Sequence, residues 1–189
     1  MVTKPAPALT LTDRMLAVRA LVCDVDGVLT DGRLNYFGAD EIKSFSVLDG
    51  FGIALAQQAG WKVALLTARG GSAVERRAVE LGVELVSGER SKGSGFTNIC
   101  ASWGVPMSAV AYIGDDWLDL PALMLAGLAA TVPNAAAALR ERAHWCARAA
   151  GGGGAVRELV EAVLLAQGRH DELLQFYLTG AGTSGERSA

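Results

Sequence analysis

The chain has 189 residues, 51% of them hydrophobic and 20% charged, the balance of a soluble globular domain with a sizeable core. A formal net charge of -3 excludes a global attraction to nucleic acid or to an anionic membrane, so an anionic ligand has to be met by local positive charge. Cys23, Cys100 and Cys146 are too scattered for a disulfide framework or a metal-ligand spacing, which suits a reducing cytoplasm. The start of the chain lacks a signal-peptide pattern and no apolar run reaches membrane-spanning length.

Residues 1–17 read as a loose lead-in. Ala20 to Asp24 is an apolar run ending in acid, which predicts a buried strand. From Arg33 to Val47 apolar and polar residues alternate around Gly38-Ala-Asp40, the pattern of a β-hairpin. Phe51 to Gly60 predicts a helix, Trp61 to Thr67 a second buried strand, and Ser72 to Leu81 a helix ended by Gly82. Val83 to Val86 reads as a third strand and Lys92 to Trp103 as a helix ended by Gly104. A fourth strand follows over Val110 to Gly114, a helix over Leu118 to Ala126, and a fifth strand over Ala129 to Val132. Ala135 to Ala143 and Val156 to Gln167 close the series as helices. Strands alternating with helices predict an α/β domain, a Rossmann-like three-layer sandwich around a mostly parallel sheet, covering residues 18–178. The Gly/Ser-rich stretch 179–189 reads as a mobile tail.

Ligands of open parallel sheets bind outside the carboxyl ends of the strands. The first strand delivers Asp24 and Asp26 there, the second Thr67, Ala68 and Arg69, and the fourth Asp115 and Asp116. Lys92 opens the helix after the third strand. Crowded carboxylates repel unless a divalent cation joins them, and hard oxygen ligands suit Mg²⁺. A carboxylate nucleophile, a second acid two residues on, and a Thr and a Lys to hold phosphoryl oxygens together make a phosphoryl-transfer site. Each piece alone is bland: an Asp-x-Asp is usually a turn or cap, and a Gly-Asp-Asp a loop. Their joint order along alternating strands carries the signal. Cys23, next to the nucleophile, points to the opposite face of its strand. His144 and His170 read as surface or structural residues, Trp103 and Trp145 as core or interface, and Arg76 as a solvated charge.

The stretch Asp24-Val-Asp-Gly-Val-Leu-Thr-Asp-Gly32, the Leu-Leu-Thr-Ala-Arg69 strand end, Lys92 and Gly114-Asp-Asp-Trp-Leu-Asp-Leu-Pro121 resemble the haloacid dehalogenase superfamily of phosphohydrolases. The resemblance implies Asp24 as nucleophile, Asp26 as general acid/base, and Thr67 and Lys92 on the phosphoryl group. It implies Mg²⁺ on Asp24, the backbone carbonyl of Asp26, and Asp115, with Asp116 and Asp119 supporting the metal and the lysine from behind. Asp49-Gly50 and Gly151-Gly-Gly-Gly-Ala-Val-Arg-Glu158 with Leu-Leu-Ala-Gln-Gly168 extend the resemblance to the 3-deoxy-D-manno-octulosonate 8-phosphate (KDO 8-phosphate) phosphatase family, over roughly residues 16–173. That family implies a role in lipopolysaccharide biosynthesis, a sugar-acid phosphate as substrate, and Asp49, Gly50, Arg69 and Arg77 facing it. Two positions depart from the family: Leu48 stands where an Arg is usual, and Ala68 where Gly is frequent.

Neither the segment between Asp26 and Thr67 nor that between Thr67 and Lys92 has room for a cap domain. A capless site implies a homo-oligomer, by resemblance a tetramer, in which the hairpin lids a neighbour's site. Three other readings stay open at this stage: a phosphatase for a nine-carbon sugar acid 9-phosphate, a phospho-receiver module, and a non-catalytic subunit. In a receiver the paired acids precede the acceptor strand, whereas here Asp24-x-Asp26 leads.

Overall fold

A computed structural model describes residues 9–38 and 40–180. The termini outside that range, including most of the stretch read as a mobile tail, lie outside the described residues. Six strands form one parallel sheet: β1 (Ala20–Cys23), β4 (Lys62–Leu66), β5 (Glu84–Val86), β6 (Val110–Gly114), β7 (Leu128–Thr131) and β8 (Trp145–Cys146). Two further strands, β2 (Asn35–Phe37) and β3 (Asp40–Ile42), make an antiparallel hairpin of their own. The main sheet runs β5-β4-β1-β6-β7-β8. From central β1 the chain moves outward through β4 to β5, then returns to the other side of β1 at β6. That reversal opens a crevice at the carboxyl ends of β1 and β6, where α/β sheets bind ligands.

The central strands are apolar on both faces because helices cover both. Every residue of β1 and all of β6 are buried. Each fully buried aliphatic side chain there, such as Leu21 or Ile113, contributes about 1.5–3 kcal/mol relative to exposure. Helix α2 (Val47–Gln58) packs on α7 (Ala155–Ala166), and α4 (Lys92–Trp103) on α5 (Leu120–Leu125). Helix α3 (Ser72–Leu81) and the short α6 (Ala137–Arg140) complete the connections.

Four elements differ from the sequence reading. The lead-in ends in helix α1 (Leu11–Ala17), which the Thr10–Asp13 capping box starts and Met15 anchors in the core. Helix α2 begins at Val47 rather than Phe51. Ser46 caps it by accepting the Leu48 N–H, a signal that the alternation of the preceding hairpin obscured. The two-residue β8 and helix α8 (His170–Leu178) are additions, the first too short to show a period of its own. The sheet is parallel throughout.

Candidate active site

Asp24 follows β1 directly, and its N–H donates to the carbonyl of Ile113 on β6 (3.0 Å), which fixes it at the mouth of the crevice. Lys92 is the first residue of α4, directly after the N-cap residue Ser91, and its side chain runs back to the end of β4. Its ammonium donates to Asp24 Oδ1 (2.6 Å), the Leu66 carbonyl at the end of β4 (2.6 Å) and Asp119 Oδ1 (3.1 Å). At 1% exposure, Lys92 is a charge that folding could tolerate only with such partners. Burial opposes its charge, but Asp24 and Asp119 outweigh that and hold its pKa above the usual lysine value.

Asp119 is the hub behind the site. Besides Lys92, its Oδ1 accepts the Tyr112 hydroxyl, while Oδ2 accepts the N–H groups of Asp115 (3.0 Å) and Asp116 (3.1 Å). Four donors saturate its two oxygens, which makes Asp119 a support for neighbouring groups rather than a free ligand. The Asp115 carboxylate has no hydrogen-bond or ion-pair partner among the described residues. Carboxylate oxygens of Asp24, Asp115 and Asp119 lie within 4.8 Å of one another. Burial first, and then the Asp119 charge, push Asp24 up to about 8. Burial, Asp119 and Asp116 push Asp115 up to about 7. Acids held this close need either protons or a cation, and an all-oxygen set with room for water fits Mg²⁺.

Asp26 is held by Lys43, just past the hairpin strand β3. Lys43, with its side chain 3% exposed, contacts Asp26 Oδ1 and pairs with Glu41 (2.8 Å). Arg69 pairs with Glu41 (2.7 Å) and stands 3.9 Å from Asp26 Oδ2. Asp26 Oδ2 itself is buried with no hydrogen-bond donor among the described residues. Thr67 closes a tight turn: its hydroxyl accepts the Arg69 N–H (3.1 Å) and donates to the Arg69 carbonyl (3.1 Å).

The loop carrying Asp26 is clamped from below. The Asn134 side chain donates to the Gly27 carbonyl (3.0 Å) and accepts the Gly151 N–H (2.8 Å), while Gly152 N–H donates to the Val28 carbonyl (2.9 Å). Gly27 has φ +87°, and a Cβ there would lie 2.0 Å from Asp115 Oδ2. A Cβ at Gly151 would lie 1.8 Å from the Gly27 carbonyl oxygen. Gly27 is therefore required for both conformation and close approach, and Gly151 for close approach alone.

A pocket of about 330 Å³ joins Asp24, Asp26, Thr67, Arg69, Lys92 and Asp115, so most of the residues singled out in the sequence converge in one place. Asp49, Gly50 and Arg77 do not line it. Helix α2 starts before Asp49 rather than after Gly50, so Asp49 lies in its first turn and turns inward, 1% exposed. Its carboxylate accepts the N–H groups of Gly154 (3.1 Å), Val156 (2.8 Å) and Arg157 (3.3 Å), neutralising the start of α7. Arg77 donates to the Ser46 carbonyl (3.2 Å), pairs with Glu80 (3.0 Å) and lies over the Phe45 ring; Gly50 leaves room for it. His144 is structural, its Nδ1 accepting the Ala129 N–H (3.0 Å). Sequence reasoning missed the contacts of Tyr112, Lys43 and Asn134, and did not single out Arg90, which also lines the pocket. The Glu41/Lys43 pair was findable, since i and i+2 share a face of a strand. Asn134 carries no local signal.

A family model for haloacid dehalogenase-like hydrolases matches residues 80–159. The 3-deoxy-D-manno-octulosonate 8-phosphate phosphatase of Escherichia coli strain K12 is 42% identical over 158 residues, 82% of this chain and 84% of that protein. The structure resembles the crystal structure of the Moraxella catarrhalis 3-deoxy-D-manno-octulosonate 8-phosphate phosphatase in complex with magnesium, phosphate and KDO. That match has TM-score 0.86 and 34% identity, over 88% of this chain and 97% of that one. A probable phosphatase from Pseudomonas syringae matches with TM-score 0.85 and 43% identity, over 89% and 97% of the two chains. The chain belongs to the 3-deoxy-D-manno-octulosonate 8-phosphate phosphatase family of haloacid dehalogenase-like hydrolases.

Proposed function

We propose that the chain is a Mg²⁺-dependent phosphatase that hydrolyses KDO 8-phosphate to KDO and phosphate through a phosphoryl group carried on Asp24. The observation that supports the reading is the buried contact of Lys92 with Asp24 and Asp119, with the Asp115 carboxylate close to both acids. The substrate is inferred from the 42% identity to the phosphatase of that name.

Asp24 attacks phosphorus along the line of the ester bond, forming a carboxylate–phosphorus bond as the bond to the sugar oxygen breaks. Asp26 gives its proton to that leaving oxygen, then takes one from the water that attacks the phosphoryl-Asp24, releasing phosphate. Lys92 and Thr67 hold phosphoryl oxygens, where charge spreads in the transition state. Thr67 must exchange its bond to the Arg69 carbonyl for one to the substrate. Asp24, Asp115 and the Asp26 carbonyl would hold Mg²⁺, which screens the attacking carboxylate from the anionic phosphoryl group when bound. Arg69 faces the sugar, while Asp49 and Arg77 act on substrate only by shaping the start of α2 and α7.

The catalytic domain spans residues 18–178 without a cap and works in the cytoplasm as a homotetramer. The hairpin supports that assembly: Tyr36 and Phe37 at its tip are 65% and 77% exposed, and Leu34 and Ile42 extend the apolar surface. No helix among the described residues is long and apolar enough to cross a membrane. Phosphate release over a panel of KDO 8-phosphate, a nine-carbon sugar acid 9-phosphate and glucose 6-phosphate, with Mg²⁺ and with chelator, tests the reading. KDO 8-phosphate is expected to lead only with Mg²⁺, and Asp24→Asn to abolish turnover. Retained turnover in that variant, with deamidation excluded by mass, would overturn the nucleophile assignment.

A further inference from the structure

We infer that Arg90 is the residue that reads the second anion of the substrate, the carboxylate of the sugar acid. The inference rests on the proposed sugar-acid phosphatase activity. Three cations line the pocket: Arg69, Arg90 and Lys92. Lys92 is committed to Asp24, Asp119 and the Leu66 carbonyl. Arg69 is committed to Glu41, at 2.7 Å. Arg90 lines the same pocket, is exposed, and among the described residues has no hydrogen-bond or ion-pair partner.

Its placement is fixed even though its side chain is unpaired. Glu89 N–H donates to the Thr67 carbonyl (3.1 Å), tying the loop to the residue that ends β4. Glu89 Oε1 accepts the Ser91 N–H (2.6 Å), and Ser91 stands at the N-cap position of α4, just ahead of Lys92. Arg90 therefore springs from a backbone tied to Thr67 on one side and adjoining Lys92 on the other, and it lines the same pocket as both.

Charge balance gives the guanidinium a task. The pocket presents Asp24, Asp26, Asp115, Asp116 and Asp119, so a substrate carboxylate entering it meets repulsion unless a cation receives it. A planar guanidinium with no prior partner binds a carboxylate in a bidentate manner without first breaking an ion pair. Arg77, the other sequence-level candidate, lies outside the pocket in this chain, bound to Ser46 and Glu80.

The test is the selectivity of Arg90→Gln and Arg90→Lys. kcat/KM is measured for KDO 8-phosphate and for p-nitrophenyl phosphate, which carries no carboxylate, in the Mg²⁺-loaded protein. Arg90→Gln is expected to lower kcat/KM about 10–100-fold more on KDO 8-phosphate than on p-nitrophenyl phosphate, mainly through KM. Arg90→Lys should recover part of that difference, because the charge remains but the fork is lost. Calorimetry with free KDO should show the same weakening, without any contribution from the phosphoryl group. Equal losses on both esters would assign Arg90 to the phosphoryl group and overturn the inference, as would equal retention. If the unsubstituted protein itself fails to prefer KDO 8-phosphate over glucose 6-phosphate, the proposed substrate falls and the carboxylate role of Arg90 with it. A wild-type preference that survives Arg90→Gln overturns the Arg90 role alone.

Discussion

Replacing Asp119 with Asn isolates what the buried hub does. The substitution keeps the volume but removes the charge and one acceptor. Lys92 and Tyr112 converge on one oxygen of Asp119, and the Asp115 and Asp116 N–H groups on the other. An amide offers one oxygen and one NH₂ group, so in either orientation two of these donors face another donor. Each hydrogen bond to a charged group contributes about 1.5–3 kcal/mol, so two lost bonds remove roughly 3–6 kcal/mol. Asp119 also raises the pKa of both Asp24 and Asp115, so its neutralisation relieves repulsion and returns part of this. The expected net destabilisation is about 3–4 kcal/mol. In a urea titration this moves the midpoint down by about 1–2 M at unchanged slope, for a slope of about 2–3 kcal/mol/M. The same substitution frees the backbone at Asp115, so the Mg²⁺ concentration for half-maximal activity should rise about 10–100-fold. A midpoint within about 0.3 M of the parent together with an unchanged Mg²⁺ requirement would refute the hub assignment.

Binding of Mg²⁺ near pH 6 should release protons, because Asp24 and Asp115 titrate near 8 and 7 in the metal-free chain; calorimetry in buffers of different ionisation enthalpy reads this directly, and buffer-independent heats would contradict it. For folding without metal the sign follows from the raised values. Between the unfolded carboxylate value of 3.8 and about 8 the native state binds the extra proton, so this contribution is present in acid and lost as pH rises through that window. Asp49→Ala should cost about 2–3 kcal/mol in a urea titration by leaving the α7 N–H groups without their acceptor, whereas unchanged stability with a raised KM would return Asp49 to the substrate. Gly27→Ala places a methyl group on the Asp115 carboxylate and should weaken Mg²⁺ activation more than it lowers Tm; the opposite ranking would show that Gly27 serves the loop alone.

Alternation of apolar strands with amphipathic helices was enough to set the sheet apart from its two-residue edge strand β8, and helices α3 and α4 keep their expected bounds because Gly82 and Gly104 end them in the left-handed region. The convergence of Asp24, Asp26, Thr67, Lys92 and Asp115 on one pocket was equally legible, since they sit at strand ends or helix starts, where sequence position alone decides which edge they reach. Local pattern could not tell which charges are already paired. Asp49 and Arg77 are polar and near the motifs, yet a helix that begins four residues early turns one into the cap of α7 and ties the other to Ser46. Lys43 and Asn134 act on the Asp26 loop across 17 and 107 residues of chain. Those contacts depend on how the hairpin folds back and on which loops meet beneath β1. Partnership between buried polar groups is a property of three-dimensional proximity and desolvation, and only the packed fold decided it.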